Sequence, residues 1–171
     1  MLLAFLLVAS VVRGQELKVE FDKDRDFSKY KTYRFGEGEI ITPKDQQQVS
    51  EADIDKWIRT AITRELEMRG LTKVDSASDL IVSFAAGSLS RSSMGDVGPM
   101  GMTPGSQDRA YIRDYRQGSL IIDLNDKSNV LVWRINATSD MSTTGGERMI
   151  DQIVEMGFRK YPKPSKKKKK K

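Results

Sequence analysis

No cysteine and no histidine occur among the 171 residues of the chain, so its fold is held without disulfides and without thiolate or imidazole metal sites. Zinc, haem and iron–sulfur ligation draw on those two residue types, and a disulfide scaffold requires the first. Stability must come from apolar surface removed from water. Hydrophobic residues make up 38% of the chain and charged residues 31%, a balance that suits a soluble globular protein. At this length one ordinary domain with a single core is expected.

The same absence narrows the chemistry. Ser-His-Asp and Cys-His nucleophiles lack their parts. No side chain has an unperturbed pKa near neutrality, so a general base would need a strongly shifted carboxylate or lysine. A glycosidase working through carboxylates alone needs two acids about 5–9.5 Å apart in a cleft, and the sequence displays no such pair. The expectation is a noncatalytic protein with no cofactor, no metal and no catalytic residue.

Met1 to Val12 (MLLAFLLVASVV) is almost wholly apolar and is followed by Arg13, Gly14 and Gln15. A helix of that length spans roughly 18 Å, short of a hydrocarbon core of about 30 Å, and matches the hydrophobic region of a secretory signal. Residues 1–14 are therefore expected to be a signal peptide, cut between Gly14 and Gln15. A lipoprotein signal would need a cysteine here, so lipid anchoring through cysteine is not expected. The formal net charge is +5, but Lys166 to Lys171 and Arg13 contribute seven of the 29 basic residues. Without them 22 basic residues face 24 acidic ones. That body is not a specific nucleic-acid surface; the lysine run is expected to be a disordered tail (163–171) that contacts anionic surfaces nonspecifically.

Between these ends the pattern alternates strand and helix. Leu17, Val19 and Phe21 have the two-residue period of a half-buried strand, and Phe27 to Phe35 resumes with aromatic residues suited to a second. Residues 36–48 read as a loop, with Gly36, Gly38 and Pro43 as breakers. Ser50 and Asp53 form a capping-box-like start to a helix whose Ile54, Trp57, Ile58, Ala61, Ile62 and Leu66 share one face. Gly70 offers a left-handed helix end, with Leu71 folding back. If Trp57 is a core anchor, Trp57→Ala should cost roughly 3–5 kcal/mol. Residues 79–86 read as a buried strand, and 87–110 as a long flexible loop of Ser, Gly, Met and Pro. Strand character returns at 111–116 and 119–124. Residues 125–129 make a hairpin turn and 130–138 the return strand, with Trp133 as an aromatic anchor. A helix from Gly146 to Lys160 buries Ile150, Ile153, Val154 and Phe158 and stops before Pro162. The expected fold is a single α+β domain over 15–162: a two-layer sandwich of about five mostly antiparallel strands with two helices on one face.

DFSKYKTYRF (26–35), RELEMRGL (64–71), SDLIVSF (78–84), GSLIIDLNDKSNVLVWR (118–134) and FRKYP (158–162) occur in this order. Together they resemble the bacterial envelope family known as domain of unknown function 4136 (DUF4136), whose members are often labelled lipoproteins. The resemblance implies an exported α+β domain. It implies no activity and carries over no catalytic residue.

Groups that might suggest chemistry have plainer explanations. Gly95, Gly98 and Gly101 lack the Gly-Lys-Ser/Thr and following helix of a phosphate loop. Met94, Met100 and Met102 have no cysteine or histidine to complete a soft-metal site. Asp123, Asn125 and Asp126 are too few for a calcium loop and suit an Asx-type turn. Ser88, Ser90, Ser92 and Ser93 have no activating base. Asn136 to Thr138 is a glycosylation sequon inside a predicted strand. The function expected is therefore a periplasmic or extracellular domain with a structural or macromolecule-binding role, its partner an envelope protein or surface polymer. The alternative is a small-ligand-binding periplasmic protein using 87–110 as a lid. A concave apolar pocket beneath that segment would favour a ligand, and a flat exposed patch a partner.

Overall fold

The computed structural model describes residues 15–42, 48–94, 112–140 and 145–162. Strands β1 (Gln15–Phe21), β2 (Thr32–Ile41), β3 (Thr72–Lys73), β4 (Leu80–Met94), β5 (Ile112–Asp126) and β6 (Leu131–Asp140) accompany helices α1 (Glu51–Glu67) and α2 (Gly146–Phe158). The strands form one mixed sheet in the order β1-β6-β5-β4-β2-β3. Neighbours from β1 to β4 pair antiparallel, and β2 runs parallel to both β4 and β3. The fold is α+β as expected, with six strands rather than five; the addition is the two-residue β3.

Registry explains how a single sheet face carries the core. Phe21, Trp133, Leu124, Val82 and Phe35 stand in one row across five strands, and Val19, Ile135, Ile122 and Phe84 stand in the next. Opposed residues share a face. Arg59 of α1 lies over Phe84 and Phe35, while Phe158 of α2 packs its ring 4.6 Å from that of Trp133. Both helices therefore cover the same face. On the opposite face, Lys18 pairs with Glu20, and Arg134 grips Asp123 through two hydrogen bonds of 2.6 Å.

The helix ends follow their local chemistry. Ser50 Oγ accepts the Asp53 N–H at 3.1 Å and donates to the Asp53 carboxylate at 2.6 Å, the expected start of α1. Gly70 adopts φ +82°, and the Leu71 N–H returns to the Leu66 carbonyl at 3.1 Å, the backbone signature of a Schellman end. In α2, Ile150, Ile153, Val154 and Phe158 are buried as expected.

Three boundaries differ from expectation. Phe27–Lys29 form a turn of 3-10 helix capped by Asp26, so β2 begins at Thr32. That strand continues through Gly36 and Gly38, where a Cβ would collide with Ile81 and with the Phe84 ring; these glycines admit close packing at a bulge and do not break the strand. The third difference is larger. β4 extends to Met94, so residues 87–94, expected in the loop, pair with β5 as far as Met94 opposite Ile112. Cross-strand hydrogen bonds supply what the Ser- and Gly-rich composition concealed. The rest of the expected loop, 95–110, lies outside the described residues, as do 1–14, 111 and the tail from 163.

Asp79 ties the start of β4 to β2. Its carboxylate accepts the Lys31 and Thr32 N–H groups at 2.8 and 3.0 Å and the Thr32 hydroxyl at 3.1 Å. The Lys31 backbone bond is the leading cause that holds its pKa below the ordinary carboxylate value. Such a group contributes stability that is complete above an unfolded pKa of about 3.9 and is lost as pH falls through the lower folded value. Asp79→Asn should therefore lower stability at neutral pH and flatten the acid limb below about pH 4, as read by urea unfolding across pH. Helix–sheet contact gives a second expectation. A Cβ on Gly157 would overlap Ile135 Cδ1 and lie 2.7 Å from its Cγ1, inside a fully buried contact. Gly157→Ala should cost about 1–3 kcal/mol. Adding Ile135→Val, which removes the terminal methyl, should recover part of that loss in a double-mutant cycle of thermal unfolding.

Candidate functional site

Along β4 and β5 the core-facing side chains shrink toward one end of the sheet. After the Phe84–Ile122–Ile135 row comes Ala86–Leu120–Ala137, and then Ser88–Gly118–Ser139. Both helices begin above this end. Where the sheet no longer supplies bulk, a cavity of about 70 Å³ opens between them. Its floor is Ala86, Gly87 and Leu120, and its walls include Ile54 and Trp57 of α1 and Met149 and Ile150 of α2. Thr42, Ser88 and Ser119 contribute hydroxyls.

Size decides what this slot can hold. Small-molecule sites occupy about 300–1,000 Å³, several times more. The slot suits one apolar side chain, which is how an interface anchor is received. Trp57 is only partly buried in its wall, so it is not the core anchor expected from the helix pattern. Trp133, fully buried beneath Phe158 and Tyr161, fills that role.

Beyond the slot, β4 and β5 continue together as a two-stranded ribbon. Among the described residues, the last β2–β4 pair is Ile41–Gly87 and the last β5–β6 pair is Gln117–Asp140, whereas β4 and β5 remain paired to Met94–Ile112. At about 3.3 Å per residue the ribbon extends roughly 20 Å past the described ends of β2 and β6.

The opposite end is a groove of about 510 Å³, and its lining comes from three distant segments. Phe27, Tyr30 and Lys31, then Met68 and Arg69, then Phe158, Arg159 and Tyr161 meet there. These belong to three of the sequence blocks that carry the family resemblance. Arg69 holds the groove together. It donates to the Glu65 carboxylate at 2.8 Å, to the Glu65 carbonyl at 2.7 Å and to the Phe158 carbonyl at 2.6 Å. One guanidinium thus satisfies carbonyls at the C-terminal ends of both helices and neutralises Glu65, which is 2% exposed. Arg159 is paired with Glu155 at 2.6 Å. Burial raises the Tyr161 pKa, and its hydroxyl and Trp133 Nε1 lie in the aromatic cluster behind the groove without a hydrogen-bond partner among the described residues. Arg69 is the cation that clamps the fold here.

The structure distributes the residues singled out by sequence. Asp126 makes the expected Asx turn, its carboxylate accepting the Ser128 and Val130 N–H groups at 2.9 and 3.1 Å and meeting Arg25 at 3.0 Å. Asp123 is held by Arg134, and Asn125 donates to Asn129 at 3.3 Å. Ser88, Ser90, Ser92, Ser93 and Met94 belong to β4, and Asn136 to Thr138 to β6. Gln15 opens β1. Gly14, Gly95, Gly98, Gly101, Met100, Met102 and Lys166 to Lys171 lie outside the described residues. Among the described residues no three acidic side chains gather as a metal site, and no helix is long and apolar enough to cross a membrane. The slot itself escaped the sequence reading. Its one signal was the run of Ala, Gly and Ser after Phe84, which resembled the start of a loop.

Residues 17–163 match the family model described as "Domain of unknown function (DUF4136)". Two solved structures share the fold. A PDZ domain protein from Parabacteroides distasonis ATCC 8503 is 13% identical with a TM-score of 0.53; the match covers 87% of this chain and 37% of that one. This chain therefore spans little more than a third of that protein. A DUF4136 family protein from Bacteroides thetaiotaomicron VPI-5482 is 13% identical with a TM-score of 0.52, covering 85% of this chain and 95% of that one. No curated protein sequence matches the chain.

The two tryptophans provide a check on this geometry. Trp133→Ala should cost about 3–5 kcal/mol and Trp57→Ala no more than about half as much, measured by chemical denaturation. Equal losses would mean that the slot is closed core.

Proposed function

The chain belongs to the DUF4136 family, and on that premise we propose that it is a noncatalytic, exported envelope domain that holds another macromolecule through the slot at the helix N-termini. The observation that carries this reading is the slot's size. It is apolar, as an anchor pocket is, yet about 70 Å³ is too little for a metabolite-sized ligand. A small apolar ligand in the same place is the second reading, and that volume counts against it.

Two further features support a role without chemistry. Glu65, Asp79, Asp123 and Asp126 are each bound by groups of the fold, so these carboxylates are engaged in structure. Export rests on the apolar run Met1–Val12 followed by Arg13, Gly14 and Gln15. The partner belongs to the envelope, as a protein or a surface polymer.

Both parts are open to direct measurement. In cells that produce the full chain, mass spectrometry should find the mature N-terminus near Gln15 in the exported fraction; an intact Met1 in the cytosol would contradict export. A photo-crosslinking side chain at Val49, on the slot wall, should give one discrete adduct in the native envelope. That adduct should vanish when Ala86→Leu fills the slot, while a crosslinker at Lys18 on the opposite face gives none. An adduct at Lys18 alone would place the contact elsewhere.

A further inference from the structure

We propose that the slot and the outer edge of β4 form one docking site for an extended, acidic segment of a partner protein. The segment adds as a strand beside residues 88–94 and seats an apolar side chain in the slot. This inference deepens the reading above and rests on it.

The backbone supplies the first argument. From Ser88 to Met94, β4 is paired with β5 on one side and, among the described residues, with no strand on the other. A strand in that position presents a row of N–H and C=O groups to any extended chain, and a two-stranded ribbon alone in water is marginal. A third strand would stabilise the ribbon while binding it, as in strand-addition complexes.

Comparison with the other edges sharpens the choice. Past its short pairing with β3, the outer edge of β2 carries Glu37 and Glu39 and a register shift between Phe35 and Gly38. β1 carries Lys18 and Glu20 within its seven residues. Charges, bulges and short length are how sheets discourage added strands. Residues 88–94 read SLSRSSM: no proline, no lysine, one arginine and an unbroken register with β5. Among the described residues this edge carries the fewest of these protections.

The slot provides the anchor. Ser88 and Gly87 border it, and Thr42 occupies the lateral position beside Ser88, their hydroxyl oxygens 3.3 Å apart. An added strand therefore starts one pleat farther out, beside Ser90, about 7 Å along β4 from the slot's rim. A leucine-sized or larger side chain on the helix side of that strand reaches back to the mouth. Charge sets the partner's character. Within the ribbon, residues 88–94 and 112–116 include Arg91, Arg113 and Arg116 against Asp114, a basic excess on a body with 22 basic and 24 acidic residues. Complementary acidic residues favour encounter and register.

The test uses the mature protein and two synthetic ten-residue acetylated peptides, one alternating glutamate with leucine and the other lysine with leucine. Hydrogen exchange should slow at the amides of residues 88–94 when the glutamate peptide is added. Calorimetry should find binding at least about tenfold weaker for the lysine peptide and for Ala86→Leu. Arg91→Glu, on the ribbon, should weaken the glutamate peptide by a similar factor while circular dichroism checks that the variant is folded. Binding that depends on Ala86 but leaves residues 88–94 unprotected overturns strand addition and leaves the slot reading intact. Binding indifferent to peptide charge, or no binding, overturns the inference, while the Val49 crosslink decides the slot reading independently. Protection of 88–94 that grows with protein concentration alone identifies a second copy as the occupant and also overturns it.

Discussion

Burial on one face of one sheet is the constraint from which the rest of the molecule follows. With no cysteine or histidine, the helices must be held against the strands by close apolar contact, and the contact that sets their distance is Gly157 on Ile135. Because α2 has no side chain at that point, its backbone lies directly on the central row of the sheet. Phe158 can then reach Trp133. Fully burying a side chain of this size contributes about 1.5–3 kcal/mol, so a few such contacts match the net stability of a typical domain.

The same arrangement gives the molecule two unlike ends. Where the helices finish, Arg69 joins the carbonyls of both, and the aromatic rings of Phe27, Phe158 and Tyr161 pack together along the groove. Where they begin, the sheet rows taper through alanine to serine and glycine, and packing runs out. The slot is the local consequence of that taper. The ribbon departs from the same end, so the slot and the edge of β4 that is unpaired among the described residues are adjacent.

Much of this was legible in the sequence because local signals agreed with the tertiary result. Ser50, Gly70 and the stripe from Ile54 to Leu66 marked α1; Ile150 to Phe158 marked α2; Asp126 marked its turn. The failures share a cause. β4 beyond Gly87 is a strand through its pairing with β5, and its Ser-rich composition carries no periodic apolar signal. Gly36 and Gly38 looked like breakers but make room for Ile81 and Phe84. Trp57 and Trp133 could not be ranked, since helix periodicity shows which face is apolar and not where along the helix the core ends. The slot draws on β2, α1, β4, β5 and α2, a convergence that only registry reveals. Three of the five blocks that carry the family resemblance meet at the Arg69 clamp, so they identified the scaffold.

The central claim is that the end bearing the helix N-termini meets the partner and the clamped end does not. Hydroxyl-radical footprinting of the protein in its native envelope, compared with the purified protein, tests this most directly. Trp57 on the slot wall should be shielded in the envelope and oxidised after purification. Met68, 66% exposed at the clamp, should react equally in both. Shielding of Met68 with Trp57 unchanged would contradict the claim.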